Sequence, residues 1–171
     1  MKIYKLFNLA NGYATIDFTN IDMNAIANGN QNVTVLSEQK LKWHFLEDDV
    51  VGDCPFYIGA FPIFESSKIE NVSFDASQKA TFYVEGGKYT AIAAPIITGN
   101  IINEEKSEMR KFKSGKIMSV KKFVLKRDTN YPPIFRIKDY PLYTFVNEEI
   151  LAALKDCGLS QLKYEECDLQ D

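Results

Sequence analysis

The stretch FVNEEILAALKDCGLSQLKYE, residues 145–165, predicts a helix whose start, apolar face and end are all marked. Asn147 is a suitable N-cap, because its side-chain oxygen can accept a hydrogen bond from an unpaired amide of the first turn. Ile150 and Leu154 recur at the spacing that places them on one helix face. Gly158 stands where a left-handed residue commonly ends a helix. The stretch therefore predicts a strand–helix–strand unit near the C-terminus.

Hairpin patterns precede this unit. Residues 80–94, ATFYVEGGKYTAIAA, alternate around Gly86-Gly87, which can supply the positive φ angles of a two-residue turn. Residues 2–18 predict a strand, a turn at Asn11-Gly12 and a second strand. Hairpins of this kind favour an antiparallel or mixed sheet.

Two other segments are less regular. Val33 and Val35 stand at strand spacing, and the acids that follow from Glu47 are expected to end that piece of chain in solvent. Residues 117–128, IMSVKKFVLKRD, fit either a strand or a short helix, and periodicity does not decide between them.

Length and composition predict a soluble globular domain. The chain has 171 residues, of which 46% are hydrophobic and 25% charged. We expect an α+β fold with a mixed or antiparallel sheet, hairpins and the C-terminal strand–helix–strand unit. The simplest organisation is one domain over residues 1–171; two lobes, at about 1–80 and 81–171, remain an alternative.

The sequence shows no sign of secretion or of a membrane span. The first residues lack the apolar core of a signal peptide, and no apolar run approaches the ~20 residues that cross a bilayer. The three cysteines are odd in number and contain no C-x-x-C pair, which indicates neither a disulfide framework nor a zinc site. We expect a cytoplasmic protein with reduced thiols and no membrane contact.

No group of residues has the spacing of a catalytic site. His44 is the single histidine, and its neighbours Trp43 and Phe45 indicate a structural position. Cys157 lies at the helix C-terminus, where the dipole does not lower the pKa of a thiol. We therefore expect no enzymatic activity, no cofactor and no metal. An enzyme that uses an acidic pair would need carboxylates with pKa values shifted apart, which a sequence does not show.

A basic stretch runs from Arg110 to Arg127, with Phe112 and Phe123 between its cations. This composition is typical of a surface for nucleic acid or for an acidic partner. The alternative without a binding function is an exposed hairpin whose charges offset the acids that precede it. The net charge of −3 favours that alternative. A nucleic-acid-associated accessory domain remains the second interpretation.

Three quoted segments carry a family resemblance. They are IINEEKSE (101–108), FKSGKIM (112–118) and PPIFRIKDYPLYTFVNEEILAALKDCGLSQLKYE (132–165). Together they resemble a bacterial immunity-protein family, whose members are cognate antidotes encoded beside polymorphic or contact-dependent toxins. The structural pattern is carried by Phe135 and Arg136 in the strand, by Gly158 after the acidic helix start, and by an aromatic in the closing strand. The resemblance covers roughly the last half of the chain.

The resemblance implies an α+β scaffold that neutralises a toxin by tight binding, without catalysis. The implied partner is a cognate toxin protein with a basic surface, such as a nuclease domain; nucleic acid itself is not favoured, and the oligomeric state stays open. Acidic residues would speed association with a basic partner. The candidate partner-binding residues are Glu47, Asp48, Asp49, Glu104, Glu105 and Glu108.

Overall fold

The computed structural model describes residues 1–37, 39–57, 61–75 and 77–171, in which strands far outnumber helices. The strands are β1 (Ile3–Asn8), β2 (Thr15–Ile16), β3 (Lys40–Leu41), β4 (Trp43–His44), β5 (Phe56–Tyr57), β6 (Phe61–Glu65), β7 (Gln78–Val84), β8 (Gly87–Ala93), β9 (Ile96–Ile97), β10 (Glu108–Lys111), β11 (Ile117–Lys122), β12 (Val124–Lys126), β13 (Ile134–Ile137), β14 (Tyr140–Asn147) and β15 (Leu162–Gln170). The helices are α1 (Met23–Ala27), α2 (Glu148–Asp156) and the 3-10 helices Val33–Leu36 and Ser66–Ile69.

The strands form two large sheets and two short ribbons. One sheet has six strands in the order β12–β15–β1–β14–β13–β9, and the other has five in the order β3–β7–β8–β6–β5. The pairs β12–β15, β9–β13 and β3–β7 are parallel, and the other pairs in these sheets are antiparallel. The ribbons are β2–β4 and β10–β11. The fold is mainly β with α+β character, and its sheets are mixed.

The C-terminal unit is present as β14–α2–β15. The Asn147 side chain accepts a hydrogen bond from the amide of Ile150 at 2.9 Å, and Gly158 ends the helix region with φ +64°. β14 and β15 are not neighbours, because β1 lies between them and pairs with both. β15 runs to Gln170, beyond the stretch 145–165 that predicts the unit, since it has a partner on each side.

Apolar side chains form three layers on the two sheets. The first layer covers one face of the five-stranded sheet and includes Ala91, while its neighbour Ile92 points to the middle layer. The middle layer also takes Val146 and, from α2, Leu154. Phe145 faces the opposite way, into the third layer on the far side of the six-stranded sheet. Since successive strand residues alternate in direction, central strands that are buried on both faces read as continuous apolar runs.

The predicted strand at Val33 and Val35 is wrong. These residues belong to the 3-10 helix, which Asn32 caps by accepting a hydrogen bond from the Thr34 amide at 2.9 Å. A 3-10 helix has about three residues per turn, so Val33 and Leu36 share a side and are both fully buried in the first layer. Spacing of two residues did not distinguish this turn from a strand.

The β7–β8 hairpin is confirmed, but its turn lies one residue earlier than predicted. The positive φ angles belong to Glu85 (+45°) and Gly86 (+91°), and Gly87 pairs with Val84 as the first residue of β8. A Cβ on Gly87 would lie 2.8 Å from the ring of Tyr89. The second glycine is therefore explained by a close contact and not by the turn itself.

Other strand predictions differ in their pairing. The turn at Asn11-Gly12 is present, but β1 pairs within the six-stranded sheet, whereas β2 pairs with β4. Residues 117–128 form the strands β11 and β12 and no helix. The lobe boundary suggested at about residue 80 falls within β7, and the division into lobes stays a prediction.

A buried carboxylate joins three separate segments. Asp53 is 7% exposed and accepts hydrogen bonds from the Lys68 ammonium (2.8 Å), from the Ser160 amide and hydroxyl (2.8 and 3.0 Å) and from the Gln161 amide (3.1 Å). Burial is the largest influence on the pKa of Asp53 and alone would raise it. The hydrogen bonds together outweigh burial, so this pKa lies below its ordinary value.

The neighbouring Gln161 extends this network. Its side-chain oxygen accepts from the Cys54 amide at 3.1 Å, and its side-chain nitrogen donates to the Leu9 carbonyl at 2.9 Å. The Gln161 side chain lies against Gly52, where a Cβ would stand 1.9 Å from its oxygen. Residue 52 therefore has to be glycine for the amide side chain to fit.

Replacing Gly52 with alanine is expected to displace Gln161 from its bonds to Cys54 and Leu9. We expect Gly52→Ala to lower the free energy of unfolding by about 2–3 kcal/mol. Gln161→Ala removes the clashing atoms, so the loss in the double variant should be clearly smaller than the sum of the single losses. Urea unfolding followed by the fluorescence of Trp43 measures all three variants. Additive losses would contradict the contact.

Asp53→Asn is expected to lower the free energy of unfolding by about 2–3 kcal/mol at pH 7, because its amide hydrogens face the donors of Lys68 and Ser160. The lowered pKa of Asp53 means that its ionised form contributes stability above the unfolded-state value of about 4. That contribution is lost as pH falls through the lower folded-state pKa. The difference in the free energy of unfolding between wild type and variant should therefore become smaller in acid.

Urea unfolding between pH 7 and pH 2.5 measures this difference. The matched control is Asp139→Asn, because Asp139 is exposed in the turn between β13 and β14. We expect the control to differ from wild type by no more than about 0.5 kcal/mol at neutral pH. A difference for Asp53→Asn that stays constant down to the lowest pH would show that the charge of Asp53 does not stabilise the fold.

Candidate interaction surface

The strongest candidate surface is a loop at residues 45–51, here named the acidic loop. It follows β4 and contains a tight turn in which the Leu46 amide donates to the Asp49 carboxylate at 2.8 Å and the Asp49 amide donates to the Leu46 carbonyl at 3.2 Å. Asp48 adopts a left-handed conformation with φ +66°, which aspartate tolerates better than most residues. The loop has a defined local shape.

Backbone hydrogen bonds fix both ends of the acidic loop. At one end, His44 pairs with Thr15 in the β2–β4 ribbon. At the other end, the Val50 amide donates to the Gly12 carbonyl at 3.0 Å, and the Ala14 amide donates to the Val50 carbonyl at 2.9 Å. The segment 12–16 therefore holds both ends of the loop in place through backbone hydrogen bonds.

The acidic loop exposes four large apolar side chains. Phe45 is 49% exposed, Leu46 69%, Val50 56% and Val51 51%. Single exposed apolar residues are ordinary on protein surfaces, but a group of them within one short loop is typical of an interaction site. These four residues were not predicted as a surface from the sequence, although the pattern FLEDDVV, in which apolar pairs flank the acids on both sides, carries that signal.

The acids at the centre of this loop carry charge without a cationic partner. Glu47 and Asp48 are exposed and Asp49 is partly exposed, as expected for a piece of chain that ends in solvent. Within the described ranges, none of the three forms an ion pair. Negative charge and apolar surface therefore coincide here. The role of these acids in partner binding stays a prediction.

The second predicted acidic set lies elsewhere, beside the third apolar layer. Its members are Glu104, Glu105 and Glu108. Glu104 accepts a hydrogen bond from the Tyr140 hydroxyl at 3.0 Å and lies 3.9 Å from the Lys111 ammonium; Glu108 lies 3.4 Å from Lys121. The lysines of the β10–β11 hairpin thus offset part of this charge. The structure does not bring the two acidic sets together.

Phe135 and Gly158, two residues of the sequence pattern that resembles immunity proteins, have structural roles. Phe135 is fully buried and stacks on Tyr131 and Phe145, with ring centroids 5.0 and 5.3 Å apart. Gly158 follows α2 in the left-handed conformation that ends the helix. Neither residue reaches the acidic loop, so they support the scaffold and not the candidate surface.

Arg136, the third of these residues, is a buried cation. It is 3% exposed, and its guanidinium donates to the Ala94 carbonyl from Nε at 3.1 Å and to the Ala27 carbonyl from Nη1 at 2.5 Å. In the part of the chain that is described, no carboxylate pairs with it, and burial lowers its pKa to about 10. The side chain ties the end of α1 to the six-stranded sheet.

The basic stretch from Arg110 to Arg127 is divided between surface and core. Phe112 is 52% exposed beside the turn of the β10–β11 hairpin. Phe123, the other aromatic of the stretch, is 2% exposed and packs in the third layer. Lys122 forms an ion pair with Asp168 at 2.9 Å. A continuous surface of cations and aromatic rings is therefore absent from this stretch.

The cysteines and the histidine do not form a reactive group. Burial raises the pKa of Cys54 well above its ordinary value and raises that of Cys167 to about 12. The pKa of half-buried Cys157 is also raised, mainly by burial. His44 is exposed on the β2–β4 ribbon. Among the described residues, no group of three His, Cys, Asp or Glu side chains is arranged to hold a metal ion.

A cavity of about 740 Å³ opens next to the acidic loop. The buried residues that line it include Ile16 and Ile63, and the exposed ones include Asp17 and His44. Since His44 directly precedes the acidic loop, the mouth of the cavity and the loop form one continuous region.

Comparison with known proteins does not place this chain in a family. The sequence matches no protein-family model, and no curated protein matches it. In the described ranges, no helix has the length and apolar character to cross a membrane. The acidic loop and the cavity beside it are therefore the structural features that bear on function.

Proposed function

We propose that this protein is an immunity protein, which neutralises a cognate toxin domain by binding it through the acidic loop and without catalysis. The observation that carries the proposal is the coincidence of four exposed apolar side chains with three acids that have no cationic partner in the described structure. The sequence resemblance to immunity proteins supports the same function. The fitting partner has a basic surface around an apolar depression.

The two kinds of side chain would act on different steps of binding. Apolar anchors that become buried at the centre of an interface supply most of its binding free energy, and Phe45 and Leu46 are suited to this role. Glu47 and Asp48 would attract a basic partner over a longer distance and so increase the association rate. A surface that combines both gives fast association and slow release.

The acidic loop alone is smaller than a stable interface. A specific protein–protein interface buries roughly 1,200–2,000 Å² in total, which requires about 20–30 residues on each side. Leu9, 42% exposed at the end of β1, extends the apolar area, since its amide and carbonyl bond Gln161 next to Gly52. The contact surface would therefore spread from the loop towards the end of β1.

A rigid base supports the proposal. The chain leaves the acidic loop at Val51 and enters the hydrogen-bond network of Asp53 two residues later. Together with the Val50–Gly12 bond, this network orders the loop before any partner arrives. Preordering lowers the conformational entropy lost on association and so strengthens binding.

A nucleic-acid-associated accessory domain is the second candidate. One observation favours it, the exposed ring of Phe112 between Lys111 and Lys113 at the hairpin turn. A single-stranded oligonucleotide titrated at low salt distinguishes the candidates. Binding that weakens steeply with salt would support the accessory domain, and no binding at low salt would reject it.

Co-expression with the product of the neighbouring upstream gene tests the leading proposal. If that product is the cognate toxin, we expect this protein to restore growth and to co-purify with it. Growth rescue without a complex would contradict neutralisation by binding, and failure of both would reject this partner and, with it, the basis for an antidote role.

Charge changes in the acidic loop should slow association. Glu47→Lys with Asp48→Asn removes two negative charges and adds one positive charge; asparagine is chosen because it tolerates the left-handed backbone at residue 48. We expect an association rate about 5- to 10-fold lower at low salt, with the difference shrinking at high salt. Glu105→Lys, in the other acidic set, is the matched control. Stopped-flow or surface-plasmon kinetics measures the association rates. A lower association rate for Glu105→Lys, together with an unchanged rate for the loop variant, would contradict the proposal.

Truncating the apolar anchors should speed dissociation instead. Phe45→Ala with Leu46→Ala is expected to raise the dissociation rate about 30-fold or more, the effect of losing roughly 2 kcal/mol at an interface centre. Met118→Ala is the matched control, because Met118 is 53% exposed on β11, away from the loop. Equal effects of the two changes would exclude the acidic loop as the centre of the interface.

A further inference from the structure

The cavity beside the acidic loop has an apolar floor and a polar mouth. Its floor includes Ile16, Met23 and Ile63, which belong to the first apolar layer and are buried. Its mouth includes Asp17 and His44, which are exposed. The volume of about 740 Å³ lies in the range of sites that hold a small molecule, so a side chain also has room to enter.

Aromatic rings contribute to the walls of this cavity. Tyr13, Phe18 and Phe56 line it, each partly buried. Tyr13 also forms the β-bridge with Val50 of the acidic loop. The wall of the cavity at Tyr13 and the acidic loop at Val50 are therefore backbone neighbours.

Asp17 supplies a negative charge at the mouth. Its Oδ1 accepts hydrogen bonds from the amide of Thr19, at 2.9 Å, and from the hydroxyl of the same residue. These bonds lower the pKa of Asp17 and keep the carboxylate ionised. Within the described residues, Oδ2 accepts no hydrogen bond, and Asp17 forms no ion pair with Lys42 or His44. Among the described residues, His44 and Lys42 act on Asp17 only through their charge, so Oδ2 is available there to a ligand.

We propose that the cavity receives an arginine side chain of the toxin, whose guanidinium bonds Asp17 and whose methylene stem lies along the apolar lining. The proposal rests on the proposed function, because it assumes that the acidic loop docks a basic protein. An arginine combines an apolar stem with a planar cation that can stack on aromatic rings and bond a carboxylate. Arginine is also enriched among the residues that dominate interface energetics.

Other occupants fit these observations less well. A purely apolar side chain would desolvate the mouth of the cavity without offering a donor to Oδ2 of Asp17, which is unfavourable. A lysine could reach the same carboxylate, but its compact ammonium does not stack on the rings of Tyr13 and Phe56 as a guanidinium does. The combination of ring walls with one free carboxylate oxygen therefore favours arginine.

A titration without any toxin tests the cavity directly. The protein, labelled in its alanine, isoleucine and methionine methyl groups, is titrated by NMR with N-acetyl-arginine methylamide. We expect saturable shifts at Ala14, Ile16 and Met23 at millimolar concentration. The neutral citrulline analogue should bind about fivefold more weakly, the factor expected for one exposed charge pair. Asp17→Asn, which keeps the acceptor for Thr19, should remove this difference, and Asp139→Asn should not.

Three results would overturn the proposal. These are the absence of saturable shifts at the floor methyl groups, equal binding of the arginine and citrulline compounds to the wild-type protein, and stronger binding of a norleucine analogue, which would indicate an apolar occupant. Because the titration contains no toxin, it is independent of the proposed function. If the loop variants alter toxin kinetics but the titration fails, only the arginine site is rejected. If the titration succeeds but no toxin binds, the proposed function is rejected.

Discussion

The buried carboxylate of Asp53 is the interaction on which the arrangement of this protein depends. An ionised carboxylate offers about four acceptor positions, and here they are used by Lys68, Ser160 and Gln161, which come from segments far apart in the chain. Apolar burial supplies most of the stabilisation of the three layers, but it is not directional. The hydrogen bonds of Asp53 determine how the turn after α2 sits against the chain that leaves the acidic loop.

This constraint extends to the candidate surface. Gln161, held by the same network, bonds both Leu9 and Cys54 and also lines the cavity. The acidic loop and the cavity mouth are thus attached to a part of the fold in which buried polar groups are paired. A site on a rigid support holds its side chains in one geometry, which suits tight binding better than a mobile loop does. Arg136 likewise links distant segments, because its bond to the Ala27 carbonyl joins α1 to β13.

Features that depend on interactions between near neighbours in the chain were predicted correctly from the sequence more often than features that depend on distant residues. The α2 helix was predictable because its cap, its apolar face and Gly158 all act within a few residues of one another. The strand expected at Val33 was wrong, because a 3-10 turn also places apolar residues close together. For the site, the acids from Glu47 onward were identified from their charge. The exposed Phe45 was not predicted, since an aromatic residue two positions after a tryptophan suggests a buried strand.

The sequence by itself determined two local elements, the capped C-terminal helix and the β7–β8 hairpin, because hydrogen bonds and backbone sterics between near neighbours decide them. Tertiary structure alone decided that β1 lies between β14 and β15, that Asp53 and Arg136 are buried, and that the residues on both sides of the acidic turn stay exposed. Burial depends on which distant segments pack together, and charge is offset only where distant residues meet. These long-range pairings leave no mark in any short stretch of sequence.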